Sequence, residues 1–143
     1  MSSVPGARQA SHATRKVIAV GVNLASVSQV RRSLRELGES YLERIFTSGE
    51  VSHCLQGADP AAQLADMLAA KEAVIKVLAC AEAEVQAPWT AIELSPRQEG
   101  GFEVRLAGLA SDFAELRGID SFALNVSRYE DLATAVVFAL GAG

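Results

Sequence analysis

Residues 59–80 read DPAAQLADMLAAKEAVIKVLAC, the longest helically patterned stretch of the chain. Asp59 is suited to the N-cap and Pro60 to the first helical position, where a missing N–H is no loss, so a helix is predicted from about Ala61 to Cys80. Leu64, Leu68, Ile75 and Leu78 mark its apolar stripe. Lys71 falls in the middle of that stripe, while Glu72 and Lys76 sit together on its edge, four residues apart. Burying an unpaired ammonium is costly, so Lys71 is expected to snorkel its head outward or to meet a carboxylate.

Upstream of this helix, Lys16 to Val22 (KVIAVGV) is a β-branched run that predicts a strand. Ser26 to Leu37 follows with Val27, Val30, Leu34 and Leu37 on one stripe and Arg31, Arg32 and Arg35 along its flank, an amphipathic helix with a basic edge. Gly38 suits its C-terminal cap, and Tyr41 to Cys54 predicts short helical pieces broken near Thr47-Ser48-Gly49. Downstream, Trp89 to Leu94 and Gly101 to Leu106 read as a hairpin, and Ala110 to Leu116 as a short helix. Ser121 to Ser127 and Leu132 to Leu140 are apolar strands joined by a polar turn over Arg128 to Asp131. One strand, then helices, then a run of strands predicts an α+β domain with the long helix packed on a mostly antiparallel sheet. Residues 1–15 are small, polar and aperiodic, and are expected to form a disordered arm before a single domain over 16–143.

Composition narrows the function classes. The chain has 143 residues, half of them apolar and 21% charged, enough for one domain with a substantial core. Neither a membrane span nor a secretory signal is evident, which predicts a cytoplasmic protein. Cys54 and Cys80 form no CxxC pair and His12 and His53 are the only histidines, so no metal cage is spaced for and both thiols are expected to be buried and inert. The net charge of -4 conceals an asymmetry. Arg8, Arg15, Lys16, Arg31, Arg32 and Arg35 give the first 35 residues six positive charges and no acid, leaving seven basic against all seventeen acidic residues beyond them. A basic zone on an acidic chain attracts an anionic partner, and the overall acidity argues against non-specific nucleic-acid binding.

Generic catalytic motifs are missing: there is no GxSxG, Walker loop, GxGxxG or HExxH. What the chain has is an ordered set: AVGVN at 19–23, RIFTSGE at 44–50, LAAKEAVIKVL at 68–78 and NVSRYEDLATAVV at 125–137. This set resembles the holo-acyl-carrier-protein synthase family of small phosphopantetheinyl transferases, from about Val17 onward. The resemblance implies the 4′-phosphopantetheinyl transferase-like fold, a homotrimer with sites between subunits, and transfer of 4′-phosphopantetheine from coenzyme A to a serine of an acyl carrier protein. It implies Mg²⁺ at Glu72 and residue 23, with Glu72, Lys76 and Asn23 at the chemical centre. Lys71, Lys76, Ser127 and Arg128 would meet coenzyme A, and Arg31, Arg32 and Arg35 would dock the acidic carrier.

Three positions depart from the family pattern. Asn23 stands where the family has a metal-binding aspartate, Met67 where an arginine often precedes AAKEA, and Arg128, after Ser127, where the last hairpin carries a histidine. An amide offers Mg²⁺ a neutral oxygen only, so metal affinity is expected to fall. Arginine can hold phosphate but cannot act as a base near neutrality. The alternative these departures leave open is a homologue that docks carriers without transfer, or one that acts on a carrier-bound substrate.

Overall fold

The computed structural model describes residues 15–78 and 88–143. Residues 1–14 of the arm expected over 1–15, and Cys80, lie outside the described residues. In chain order the elements are β1 (Arg15–Ser26), α1 (Val27–Leu37), α2 (Glu39–Ile45), α3 (Ser48–Leu55), α4 (Pro60–Leu78), a 3-10 turn (Trp89–Ala91), β2 (Ile92–Pro96), β3 (Phe102–Leu106), α5 (Gly108–Leu116), β4 (Ser121–Tyr129) and β5 (Leu132–Ala142). β5 is central in an antiparallel sheet of order β1-β5-β4, and β2 and β3 form a separate antiparallel hairpin. The architecture is α+β, as the order of elements predicts.

α4 packs across β1 and β5 on one face of the three-stranded sheet. Small residues make that approach possible. A Cβ on Gly21 would stand 2.6 Å from the Ala73 carbonyl oxygen and 2.9 Å from Val77 Cγ1, so only glycine fits there. On β5, Ala133, Ala135, Val137 and Ala139 are fully buried beneath the helix. α4 is buried on nearly every side, alanines included, rather than along the one stripe of Leu64, Leu68, Ile75 and Leu78; Leu68 and Ile75 are only half-buried. The helix is the centre of the core, so its alanines bury as fully as its leucines.

Several boundaries differ from the sequence expectations, each for a local reason. β1 runs four residues past Val22 and starts at Arg15, because β5 pairs with it along its length, from Arg15 opposite Ala142 to Ser26 opposite Leu132. Arg15 is therefore not loose arm: it ion-pairs with Asp120 at 2.6 Å and hydrogen-bonds Ser121. Trp89 to Ala91 forms a 3-10 turn instead of strand. Arg128 belongs to β4, and the turn tightens onto Glu130 (φ 54°) and Asp131. Asp131 then reaches back to β1 and α1: its carboxylate accepts from Ser26 Oγ at 2.8 Å, Ser28 Oγ at 2.7 Å and the Ser28 N–H at 3.0 Å. Those bonds hold its carboxyl below the ordinary aspartate range, and they tie the start of α1 to the β4–β5 turn.

Candidate active site

Helical phase brings Glu72 to a cavity. Residues on an α-helix step by about 100°, so neighbours on α4 face different surroundings. Lys71 turns into the core, where neither it nor its partner Glu50 reaches solvent, and its Nζ donates to Glu50 Oε1 at 2.7 Å. Burial pulls the Lys71 ammonium below its ordinary range, and Glu50 opposes that pull. Of the two outcomes expected for Lys71, it meets a carboxylate; it is not placed where a ligand could touch it within this chain, because its head is enclosed by Glu50 and the Phe46 ring.

Glu72, one residue on, faces a cavity of about 410 Å³. The end of β1 (Leu24, Ala25, Ser26), α1 (Gln29, Val30, Ser33), α2 (Tyr41, Ile45) and Trp89 line it, and it is open to solvent. Tyr41 is half-buried there; burial first, and then the negative charge of Glu72, push its hydroxyl above the ordinary tyrosine value. A second cavity of about 400 Å³ shares Ser33, Tyr41, Ile45 and Trp89 and extends the hollow toward Leu37 and Arg44. Lys76, one turn beyond Glu72, lays its ammonium across to β1, donating to the Val22 carbonyl at 3.0 Å. Asn23 follows Val22 on the helix-facing side of β1, between Gly21 and Ala25, with Nδ2 in a long 3.5 Å bond to the Leu24 carbonyl. The Lys76–Val22 bond thus joins α4, one turn past Glu72, to β1 at the residue before Asn23.

Arg128 is elsewhere. Its Nε donates to Asp66 Oδ1 at 3.1 Å and its Nη2 to Asp66 Oδ2 at 2.9 Å, and the carboxylate raises the guanidinium further above its usual value. Asp66 precedes Glu72 by six residues, about 9 Å along α4 at the helical rise. Ser127 projects from the opposite face of β4, opposite Thr134. The two residues expected to share one ligand therefore stand on two sides of the sheet.

Arg31, Arg32 and Arg35 are exposed on α1, the helix whose Ser33 lines both cavities. Arg31 is already partnered, its two guanidinium nitrogens lying 3.2 and 3.4 Å from the Asp59 carboxylate. Asp59 also caps α4 as expected, accepting from the Ala62 N–H at 3.3 Å. Glu50, Tyr41 and Trp89 were not among the expected site residues. Only Glu50 has a local signal: Thr47 and Glu50 form the T-x-x-E capping box of α3. Among the described residues no three His, Cys, Asp or Glu side chains gather as a cation cage. Burial, with Glu50 and Asp66 nearby, pushes the Cys54 thiol up to about 12, so it is no nucleophile. No described helix is long and apolar enough to cross a membrane.

Known proteins share both the sequence and the fold. The profile of the 4′-phosphopantetheinyl transferase superfamily matches residues 19–137. A holo-[acyl-carrier-protein] synthase of Rhodopirellula baltica is 34% identical over 121 residues, 85% of this chain and 95% of its own length. One from Dehalococcoides mccartyi is 35% identical over 119 residues, 83% of this chain and 95% of its own. The structure of a Chronobacterium ammoniagenes synthase in complex with coenzyme A superposes with a TM-score of 0.70 at 28% identity, over 87% of this chain and 96% of that one. With the profile spanning most of its length and relatives above 30% identity covered almost end to end, the chain belongs to the holo-acyl-carrier-protein synthase family of the 4′-phosphopantetheinyl transferase superfamily.

Proposed function

We propose that this chain transfers the 4′-phosphopantetheine group of coenzyme A to a serine hydroxyl of an acyl carrier protein in the cytoplasm. The observation that carries the reading is the Glu72 cavity: a carboxylate with an ammonium one turn away, opening beside the basic edge of α1, in a chain related along its length to holo-[acyl-carrier-protein] synthases. In the reaction the serine oxygen bonds to the phosphorus that carries pantetheine, and the P–O bond to the bridging oxygen breaks. 3′,5′-Adenosine bisphosphate leaves with that electron pair, and the serine proton passes to a base or water. Lys76 is a cation available to the leaving phosphate, where a fixed charge is worth most as negative charge develops. Glu72 and the neutral amide of Asn23 form a thin donor set for a hard dication. They fit Mg²⁺ only when diphosphate oxygens complete its shell, the usual way that ion is held. Mg²⁺ bound there would neutralise the diphosphate.

Assembly into a homotrimer is part of the proposal. The sheet face turned away from α4 is apolar and uncovered: Val20, Val22 and Leu24 are each half or more exposed, and Val20 and Val22 pair with Phe138 and Val136 of β5. A patch of that kind marks an interaction surface. Ser127 stands on the same face, so a neighbouring copy would meet it. Arg31, Arg32 and Arg35 would dock the acidic carrier at the mouth of the cavity.

The test is incubation of the protein with coenzyme A, Mg²⁺ and an apo carrier, read by mass spectrometry. The expected result is carrier heavier by one phosphopantetheine. No gain across several carriers that still bind would replace transfer with docking alone or with another reaction on a carrier-bound substrate.

A further inference from the structure

Glu50 is the hub of a buried knot. Its Oε1 accepts from Lys71 Nζ at 2.7 Å and from the Thr47 N–H at 2.9 Å, and its Oε2 accepts from the Leu94 N–H of β2 at 2.7 Å. Thr47 Oγ1 accepts from the Glu50 N–H and donates to Glu93 Oε2 at 2.6 Å. Lys71 Nζ also lies 5.7 Å from the centroid of the Phe46 ring, which packs edge-on against Tyr41 at 6.2 Å. A buried ion pair seldom stabilises a fold more than an apolar pair of the same volume, so stability alone does not account for this one.

What sets this knot apart is where its strands lead. Lys71 is adjacent to Glu72 on α4; Phe46 touches Tyr41 of α2; Leu94 lies on the strand that begins directly after the Trp89–Ala91 turn. Glu72, Tyr41 and Trp89 are three walls of the same cavity. We infer that Glu50 and Lys71 are positioning residues, which set the rotation of α4 against α2 and β2 and thereby fix the width of the Glu72 cavity. A directional pair can do this where an apolar contact would slide, because its hydrogen bonds are satisfied in one register only. The inference deepens the proposed transfer reaction and rests on it for its kinetic readout alone.

Trp89 is the only tryptophan of the chain, so its fluorescence reports this cavity without reference to any reaction. The decisive protein is the double variant Glu50→Gln/Lys71→Met, which removes both charges at nearly constant volume. Native circular dichroism is expected, with red-shifted Trp89 emission and stronger acrylamide quenching than wild type. If transfer occurs in wild type, kcat in the double variant falls about ten-fold, as for a displaced catalytic group, while KM for the carrier stays within about two-fold. A folded double variant with the emission, quenching and kcat of wild type would overturn the inference. Should that variant fail to fold, Glu50→Asp keeps the charge but is one methylene too short to hold Lys71 and Leu94 together. The same rise in quenching is expected there, and its absence overturns the inference equally. Wild type that transfers nothing removes the proposed reaction, and the Trp89 measurements still decide the positioning role.

Discussion

Arg128 on β4 and Asp66 on α4 are locked together by two parallel hydrogen bonds of 3.1 and 2.9 Å. A guanidinium so engaged joins helix to strand through its Nε–Nη2 edge and has its charge matched by one carboxylate. The pair is partly exposed, which limits its worth to about 1 kcal/mol or less. Arg128→Gln is therefore expected to lower the midpoint of denaturant unfolding slightly. The affinity for coenzyme A, measured by calorimetry, should stay within about two-fold, since the Asp66 carboxylate already offsets the charge that a phosphate would meet. A large loss of coenzyme A binding would show that Arg128 leaves Asp66 for the ligand.

Asn23→Asp adds a second carboxylate to the donor set proposed for Mg²⁺ with Glu72. One more unit charge a few ångströms from a dication at a half-exposed site is worth over about 1 kcal/mol, so Mg²⁺ affinity in the presence of coenzyme A should rise about ten-fold. Calorimetric titration reads this directly. Unchanged affinity would mean that residue 23 does not face the metal.

Carrier docking should depend unequally on the three arginines of α1. Arg31 is partnered by Asp59, whereas Arg32 and Arg35 stand exposed on the same helix. Charge reversal at Arg32 and Arg35 is expected to weaken carrier binding more than reversal at Arg31. The loss should shrink as salt is raised from low to physiological ionic strength, because exposed charges are screened within a Debye length. Equal losses at all three positions, or none that depends on salt, would count against this docking edge.

Acid should loosen the start of α1 through Asp131. Its folded carboxyl lies below the ordinary value because Ser28 and Ser26 donate to it. The stabilisation it supplies is complete above the ordinary aspartate value near 3.8 and is lost as pH falls through the lower folded value. Asp131→Asn is expected to flatten the acid limb of stability against pH, followed by circular dichroism in urea, with little change in shape near neutrality. An acid limb as steep as that of wild type would assign the dependence to other carboxylates.

Local signals were readable in the chain wherever one element carried them. Asp59 and Pro60 opened α4, Ser26 and Gly38 bounded α1, and Gly100-Gly101 turned the hairpin, because each acts on its own backbone within a few residues. Lys71 could be recognised as anomalous on an apolar helix, yet its partner could not be named. Glu50 is 21 residues away, and only the packing of α3 against α4 brings them together. Arg128 was expected on the same ligand as Ser127, but strand alternation sends adjacent side chains to opposite faces, and Asp66 was waiting on one of them. Trp89 and Tyr41 acquire their place from elements distant in sequence, so no spacing pointed to them.

The pairing of β1 with β5 has a consequence for synthesis on the ribosome. Arg15 and Ala142 are opposite each other, so the first described strand must wait for the last one before its backbone is satisfied. Until β5 emerges, the sheet has no central strand, and Val20, Val22 and Leu24 lie on a segment with an open edge. Long-range pairing of this kind slows folding and exposes nascent chains to mispairing. The sheet can thus close only after β5 has been made, and loss of β5 takes away the strand on which both β1 and β4 depend.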